Sequence, residues 1–134
     1  MVYEQVGPGG LRLYCYTNSC VYNEQWNDAT LIARGLVLDV DNQTVVATPF
    51  PKFFNASERG ENIPDLPFET FEKADGSLII MFWHAGEWRT ATKGAFGSSQ
   101  AAWAAERLKG CDLSALRRGT TYLAEAVYAE NRIR

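Results

Sequence analysis

Apolar and polar positions alternate from Leu11 to Tyr16, with Leu11, Leu13 and Cys15 on one side and Arg12, Tyr14 and Tyr16 on the other. That is the period of a half-buried strand. Residues 17–28 lose the period and read as a polar loop with scattered aromatics and one helical turn. Two β-branched runs, 36–40 and 44–48, flank Asp41-Asn42-Gln43 and predict an antiparallel hairpin. Pro49 and Pro51 end it, because proline has no N–H to give to a ladder. Residues 56–67 are polar and proline-bearing, a surface connection, and 68–73 read as a short strand or the approach to one. Positions 78–83 are apolar throughout, which predicts a strand buried on both faces. His84-Ala85-Gly86-Glu87 supplies a turn, and residues 88–94 run back. With the turn centred on Ala85 and Gly86, antiparallel pairing sets Lys93 opposite Leu78. Ser98-Ser99 offers an N-cap to a helix running through Lys109 and ended by Gly110, with Ala101, Ala105 and Leu108 on one face. A further helical turn is expected at 114–118. Residues 121–128 alternate again and put Glu125 on the face of Leu123 and Val127, where a carboxylate needs a partner. The pattern is α+β: antiparallel sheets with one main packing helix.

Composition narrows the class. A chain of 134 residues is one domain or a piece of a larger one. Hydrophobic residues at 46% supply a core and exclude disorder. The formal net charge of -3 argues against a general basic coat for nucleic acid but leaves room for a local basic cleft. Cys15, Cys20 and Cys111 are odd in number and lack metal-ligand spacing, which points to reduced thiols packed as small hydrophobes and to a cytoplasmic location. The lone His84 falls in a predicted turn, facing solvent, and excludes multi-histidine metal sites. No segment is long enough to span a bilayer, and the opening residues do not have the form of a signal peptide.

The candidate chemistry lies at Phe71-Glu72-Lys73-Ala74-Asp75-Gly76-Ser77, directly before the buried strand. A free lysine has a pKa of about 10.4, so the neutral amine costs about 4.6 kcal/mol at pH 7. An amine that attacks phosphorus therefore needs desolvation and neighbouring cations. Burial of Lys73 against Leu78 and Phe82, with Lys52 and Lys93 nearby, would provide both. Asp75 is expected to face a metal or backbone amides rather than pair with Lys73. Taken alone, Lys-x-Asp-Gly is a solvated turn, and the surrounding residues decide.

Lys73-Ala74-Asp75-Gly76 matches the K-x-D-G motif of covalent nucleotidyltransferases. Ala33-Arg34-Gly35, Pro51-Lys52-Phe53-Phe54-Asn55, Thr92-Lys93-Gly94, Leu123-Ala124-Glu125 and Asn131-Arg132-Ile133 follow the order seen in bacteriophage-type ATP-dependent RNA ligases. The sequence resembles that family from about Arg34 to its last residue, and more loosely back to Leu11. The resemblance implies an RNA ligase that joins 5′-phosphate and 3′-hydroxyl ends through a lysyl-AMP intermediate, with ATP and Mg²⁺. It implies Lys73 as nucleophile and Lys93 as a second catalytic cation. Arg34, Lys52, Phe54, Asp75, Gly76 and Glu125 would contact the nucleotide, with Glu125 also near the metal, and Tyr16 resembles an upstream tyrosine of the family. The family's fourth and fifth motifs do not appear, so residues 1–134 are expected to form the N-terminal portion of a nucleotidyltransferase domain. A second chain or a C-terminal region would complete it. RNA ends are the expected partners and a membrane is not. The rival readings are a DNA ligase or capping-type enzyme, and a non-catalytic or split-fragment module that binds nucleotide or RNA. Trp83, Trp88 and Trp103 read as core rather than base-stacking platforms. Arg107, Lys109, Arg117 and Arg118 form a basic cluster, either an RNA contact or a solvated helix face.

Overall fold

The computed structural model describes residues 1–58 and 63–131. Its strands form two antiparallel sheets. The first has the order β1-β2-β3-β4, from Val2–Val6, Leu11–Tyr16, Arg34–Asp39 and Thr44–Ala47. The second has the order β6-β5-β7, from Glu87–Ala91, Ser77–His84 and Tyr122–Ala126. Helices α1 (Asn18–Tyr22) and α2 (Asp28–Ile32) connect β2 to β3, and α3 (Ser99–Leu108) follows β6. The α+β expectation therefore holds, as do the two hairpins and the capped helix. Ser98 Oγ accepts the Ala101 amide at 3.1 Å, closing the N-terminus of α3.

The central strand β5 explains the layering. Ile79, Ile80, Met81 and Phe82 are all buried, but its two faces serve different cores. Ile80 and Phe82 join Leu11, Leu13, Val37 and Ala91 between the two sheets. Ile79 and Met81 pack with Ala104 and Ala126 beneath α3. Both Ala85 (φ 52) and Gly86 (φ 83) are left-handed, which makes the β5–β6 connection a two-residue turn of the type that matches strand twist. Pairing runs from His84↔Glu87 to Ile80↔Ala91.

The structure adds to the sequence reading at three places and corrects it at His84. Strand β1 has no period-two signature, because it is an edge strand with three of its five residues exposed; pairing with β2 makes it a strand. The loop at 17–28 holds α1 and the start of α2, each with a side-chain cap, Thr17 on Cys20 and Asn27 on Thr30. Residues 68–73 form no strand and are exposed throughout. His84 does not face solvent. Its Nε2 lies 3.0 Å from the Asp39 carboxylate and ties the end of β5 to β3 across the sheets. Cys15 and Cys20 are buried as expected, whereas Cys111 is exposed.

Candidate functional site

Gly35 sets how closely the sheets approach at one end. It adopts φ +90, and a Cβ on it would strike the Ile80 side chain and lie 3.0 Å from Lys93 Cα. Only glycine lets the start of β3 press on the chain leaving β6. Lys93 lies two residues past the last paired residue of β6, in a bend where the Thr92 amide donates to the Ala95 carbonyl at 2.9 Å, so the expected pairing of Lys93 with Leu78 is not formed. On the other side of β5, Leu78 pairs with Glu125. Opposed residues of an antiparallel ladder share a face, so Glu125 lies with Leu78 on the inter-sheet side of the second sheet. Tyr3 braces this corner. Its hydroxyl donates to the Gly94 carbonyl at 3.1 Å. Burial first, and the Cys15 thiol second, push its pKa up to about 12, which keeps that proton in place.

From Lys93 a chain of rings leads outward. Lys93 Nζ lies 3.5 Å from the Tyr16 hydroxyl and 5.5 Å from its ring centre. Tyr16 meets Trp26 edge-on at 5.0 Å, and Trp26 meets Phe54 edge-on at 5.3 Å. Lys52 Nζ sits 4.8 Å above Phe54 and 5.9 Å from Trp26. Its backbone amide donates to the Leu31 carbonyl at 2.8 Å, which anchors the 51–55 loop to the end of α2. Arg34 stacks at 5.3 Å over Phe53 and reaches the Phe50 carbonyl at 3.5 Å. Its Nε is buried without a hydrogen-bond partner. Cations held over ring faces keep their charge but lose conformational freedom, and an orphaned guanidinium N–H is a place for an anion.

Lys93, Tyr16, Trp26, Phe54 and Lys52 thus form one connected run of contacts, and Arg34 reaches the same loop through Phe53. Glu125 shares the inter-sheet side but is exposed on the edge strand β7. Lys73 and Asp75 lie on the exposed approach to β5 and make no hydrogen bond or ion pair among the described residues. The expected burial of Lys73 against Leu78 and Phe82 is not found. Phe82 is enclosed between the sheets, and the 68–75 segment has no element packed over it. Gly76 is buried, and a Cβ there would collide with the Ala126 carbonyl, so the bend after Asp75 is seated against β7. Ser77 Oγ bonds Asn131 Oδ1 at 2.9 Å, and Asn131 Nδ2 donates to the Ala126 carbonyl at 2.9 Å, clamping that seat. Arg132 and Ile133 lie outside the described residues.

Trp26 and Tyr3 were not singled out by the sequence. Trp26 leaves only a weak signal, a large ring in a polar stretch, and Tyr3 leaves none. Among the described residues no group of three or more His, Cys, Asp or Glu converges as a metal cage, and no helix is long and apolar enough to cross a membrane.

A model of the RNA ligase family matches residues 32–132. The chain is also 36% identical over 72 residues to a protein of Autographa californica nuclear polyhedrosis virus whose name couples polynucleotide kinase with RNA ligase. That alignment covers 46% of this chain and 10% of the viral protein, so the chain spans about a tenth of the relative's length. The matched region begins just before β3 and takes in Arg34, Lys52, Phe54 and Lys93, the Lys73-Ala74-Asp75-Gly76 bend and the Asn131 clamp: the chain belongs to the RNA ligase family.

Proposed function

We propose that residues 1–134 are the N-terminal portion of an ATP-dependent RNA ligase domain that forms a lysyl-AMP intermediate. The observation that carries this is the run of contacts that joins Lys93 to Lys52 through Tyr16, Trp26 and Phe54, with Gly35 against Lys93 and Arg34 held on Phe53 of the same loop. Three cations there suit a polyphosphate, and the orphaned Arg34 Nε suits one of its oxygens.

In this reading the neutral Nζ of Lys73 attacks the α-phosphorus of ATP. A nitrogen–phosphorus bond forms, the bond from that phosphorus to the bridging oxygen breaks, and pyrophosphate leaves with the electron pair. Arg34, Lys52 and Lys93 offset charge that builds on the phosphate oxygens, the main demand of phosphoryl-type transfer. AMP then passes to an RNA 5′-phosphate, and a 3′-hydroxyl displaces it to seal the strand. Because Lys73 is exposed, further protein or the nucleotide itself must cover it before attack. A second chain or a C-terminal region bearing the family's later motifs would do so. Among the described residues no carboxylate cluster forms a magnesium cage. Glu125 offers one exposed carboxylate, and no step here is assigned to the metal.

The test is incubation with α-labelled ATP, for the native chain and Lys73→Ala, alone and with a polypeptide supplying the later motifs. Acid-labile label on the native protein and none on Lys73→Ala is the expected result. Label that survives in Lys73→Ala, or no label on the native chain under either condition, overturns the proposal. Labelled GTP or NAD⁺ in place of ATP separates the capping-type and DNA-ligase readings.

A further inference from the structure

The far end of β5 carries a second cation-and-ring assembly that the ligation chemistry above does not use. Trp83 pairs with Trp88 across the hairpin, and their rings meet edge-on at 5.7 Å. Trp88 in turn meets Tyr122 of β7 at 5.8 Å. Contrary to the expectation of core packing, both tryptophans are only half-buried. The Arg118 guanidinium lies 4.2 Å over the Trp83 ring. The neighbouring backbone is pinned by the Arg117 amide, which donates to the Tyr122 hydroxyl at 2.9 Å. Both arginine side chains are exposed, and neither makes an ion pair or side-chain hydrogen bond among the described residues. Beside Trp88 a cavity of about 610 Å³ opens between β6 and α3, walled by Phe96, Ala105 and Leu108, with Lys109 at its edge.

We propose that the far end of the α3-facing side of the second sheet, Trp83, Trp88 and Tyr122 with Arg118 over Trp83 and Arg117 next along the chain, binds single-stranded RNA. Three features favour RNA over a protein partner. The three rings are half-buried and leave part of their aromatic surface open, and any base has a flat face to stack on it. Arg118 is held over an aromatic ring with no ion-pair partner among the described residues, so its donors are available to phosphate. Residues 103–123 carry four cations (Arg107, Lys109, Arg117, Arg118) against two acids (Glu106, Asp112), in a chain whose formal net charge is -3. The positive charge is therefore local, where a polyanion can use it.

The face is also placed to hold the body of a strand rather than its reacting end. Trp83 stands six residues along β5 from Ser77, about 20 Å at strand rise. An RNA bound there has its termini free to reach the Lys73 end. This assignment rests on the RNA ligase reading for its biological sense, but it is tested by binding alone.

The experiment measures binding of a fluorescent, 5′-phosphorylated oligoribonucleotide to the chain by anisotropy at several salt concentrations, with α-labelled ATP transfer read in parallel under the conditions given above. Arg117→Ala/Arg118→Ala should weaken RNA binding at least tenfold and make the log–log salt slope shallower by about 1.4, two phosphate contacts at about 0.7 each on a single strand. Trp88→Leu should weaken binding by about tenfold through lost stacking, with the salt slope unchanged. As a second variant that keeps the charge and the loop, Arg118→Lys should retain the slope yet lose affinity. AMP transfer to the protein should be unaffected in all of them. RNA binding that these variants leave unchanged overturns the inference while the ligase reading stands. So does an RNA-free face that instead drives self-association abolished by the double arginine variant. Failed labelling with variant-sensitive RNA binding overturns the ligase reading and leaves this face standing.

Discussion

Replacing Gly35 with alanine probes the contact that shapes the site. The substitution places a Cβ on a residue at φ +90, which costs an L-residue about 1–2 kcal/mol. That Cβ also meets the Ile80 side chain in the inter-sheet core and the Lys93 backbone. Overpacking of this kind costs about 1–3 kcal/mol, for a sum of about 2–5 kcal/mol. At roughly 4 °C per kcal/mol for a domain of this size, the midpoint should fall by roughly 8–20 °C. Two other glycines separate the contributions. Gly86 has φ +83 with nothing within 4 Å of a Cβ, so Gly86→Ala should carry the backbone cost alone, about 1–2 kcal/mol. Gly97 has open space and no left-handed φ, so Gly97→Ala should stay within about 1 kcal/mol of neutral. Urea denaturation of the three variants reads all these values. Equal losses in Gly35→Ala and Gly86→Ala would refute the close approach of β3 to Lys93, and with it the account of how the cations are gathered.

Asp39 gives a pH signature. Hydrogen bonds from the Asn42 side chain, then from His84, lower its carboxyl from 3.8 to about 2. A depressed folded-state pKa contributes stability that is fully present above the unfolded value and lost as pH falls through the folded one. The stability difference between native chain and Asp39→Asn should therefore shrink from pH 4 towards pH 2 in acid denaturation, and a difference constant over that window would count against a carboxylate held by Asn42 and His84. At the β5–β6 turn, Ala85 is left-handed without being glycine. Ala85→Asn should raise stability by about 0.5–1 kcal/mol in the same urea assay, since asparagine tolerates that conformation at lower cost; a loss would argue against the turn geometry.

Local pattern alone determined much of this protein. The β5–β6 register follows from an unbroken apolar run ending at a glycine-bearing turn, and α3 follows from a serine cap and one apolar face. The Lys-x-Asp-Gly motif is also local, since Lys73, Asp75 and Gly76 fall within four successive positions. Strand β1 was illegible because an edge strand is made by its partner rather than by its own alternation. His84 was misread because its carboxylate partner lies 45 residues away on another sheet. The site itself divides the same way. Arg34, Lys52 and Lys93 were named from the sequence, but the contacts that link them depend on a glycine at φ +90 and on Trp26 bridging Tyr16 to Phe54. The environment of Lys73 was beyond the sequence for the same reason. Desolvation is a property of what packs over a residue, and packing is decided only when distant segments meet.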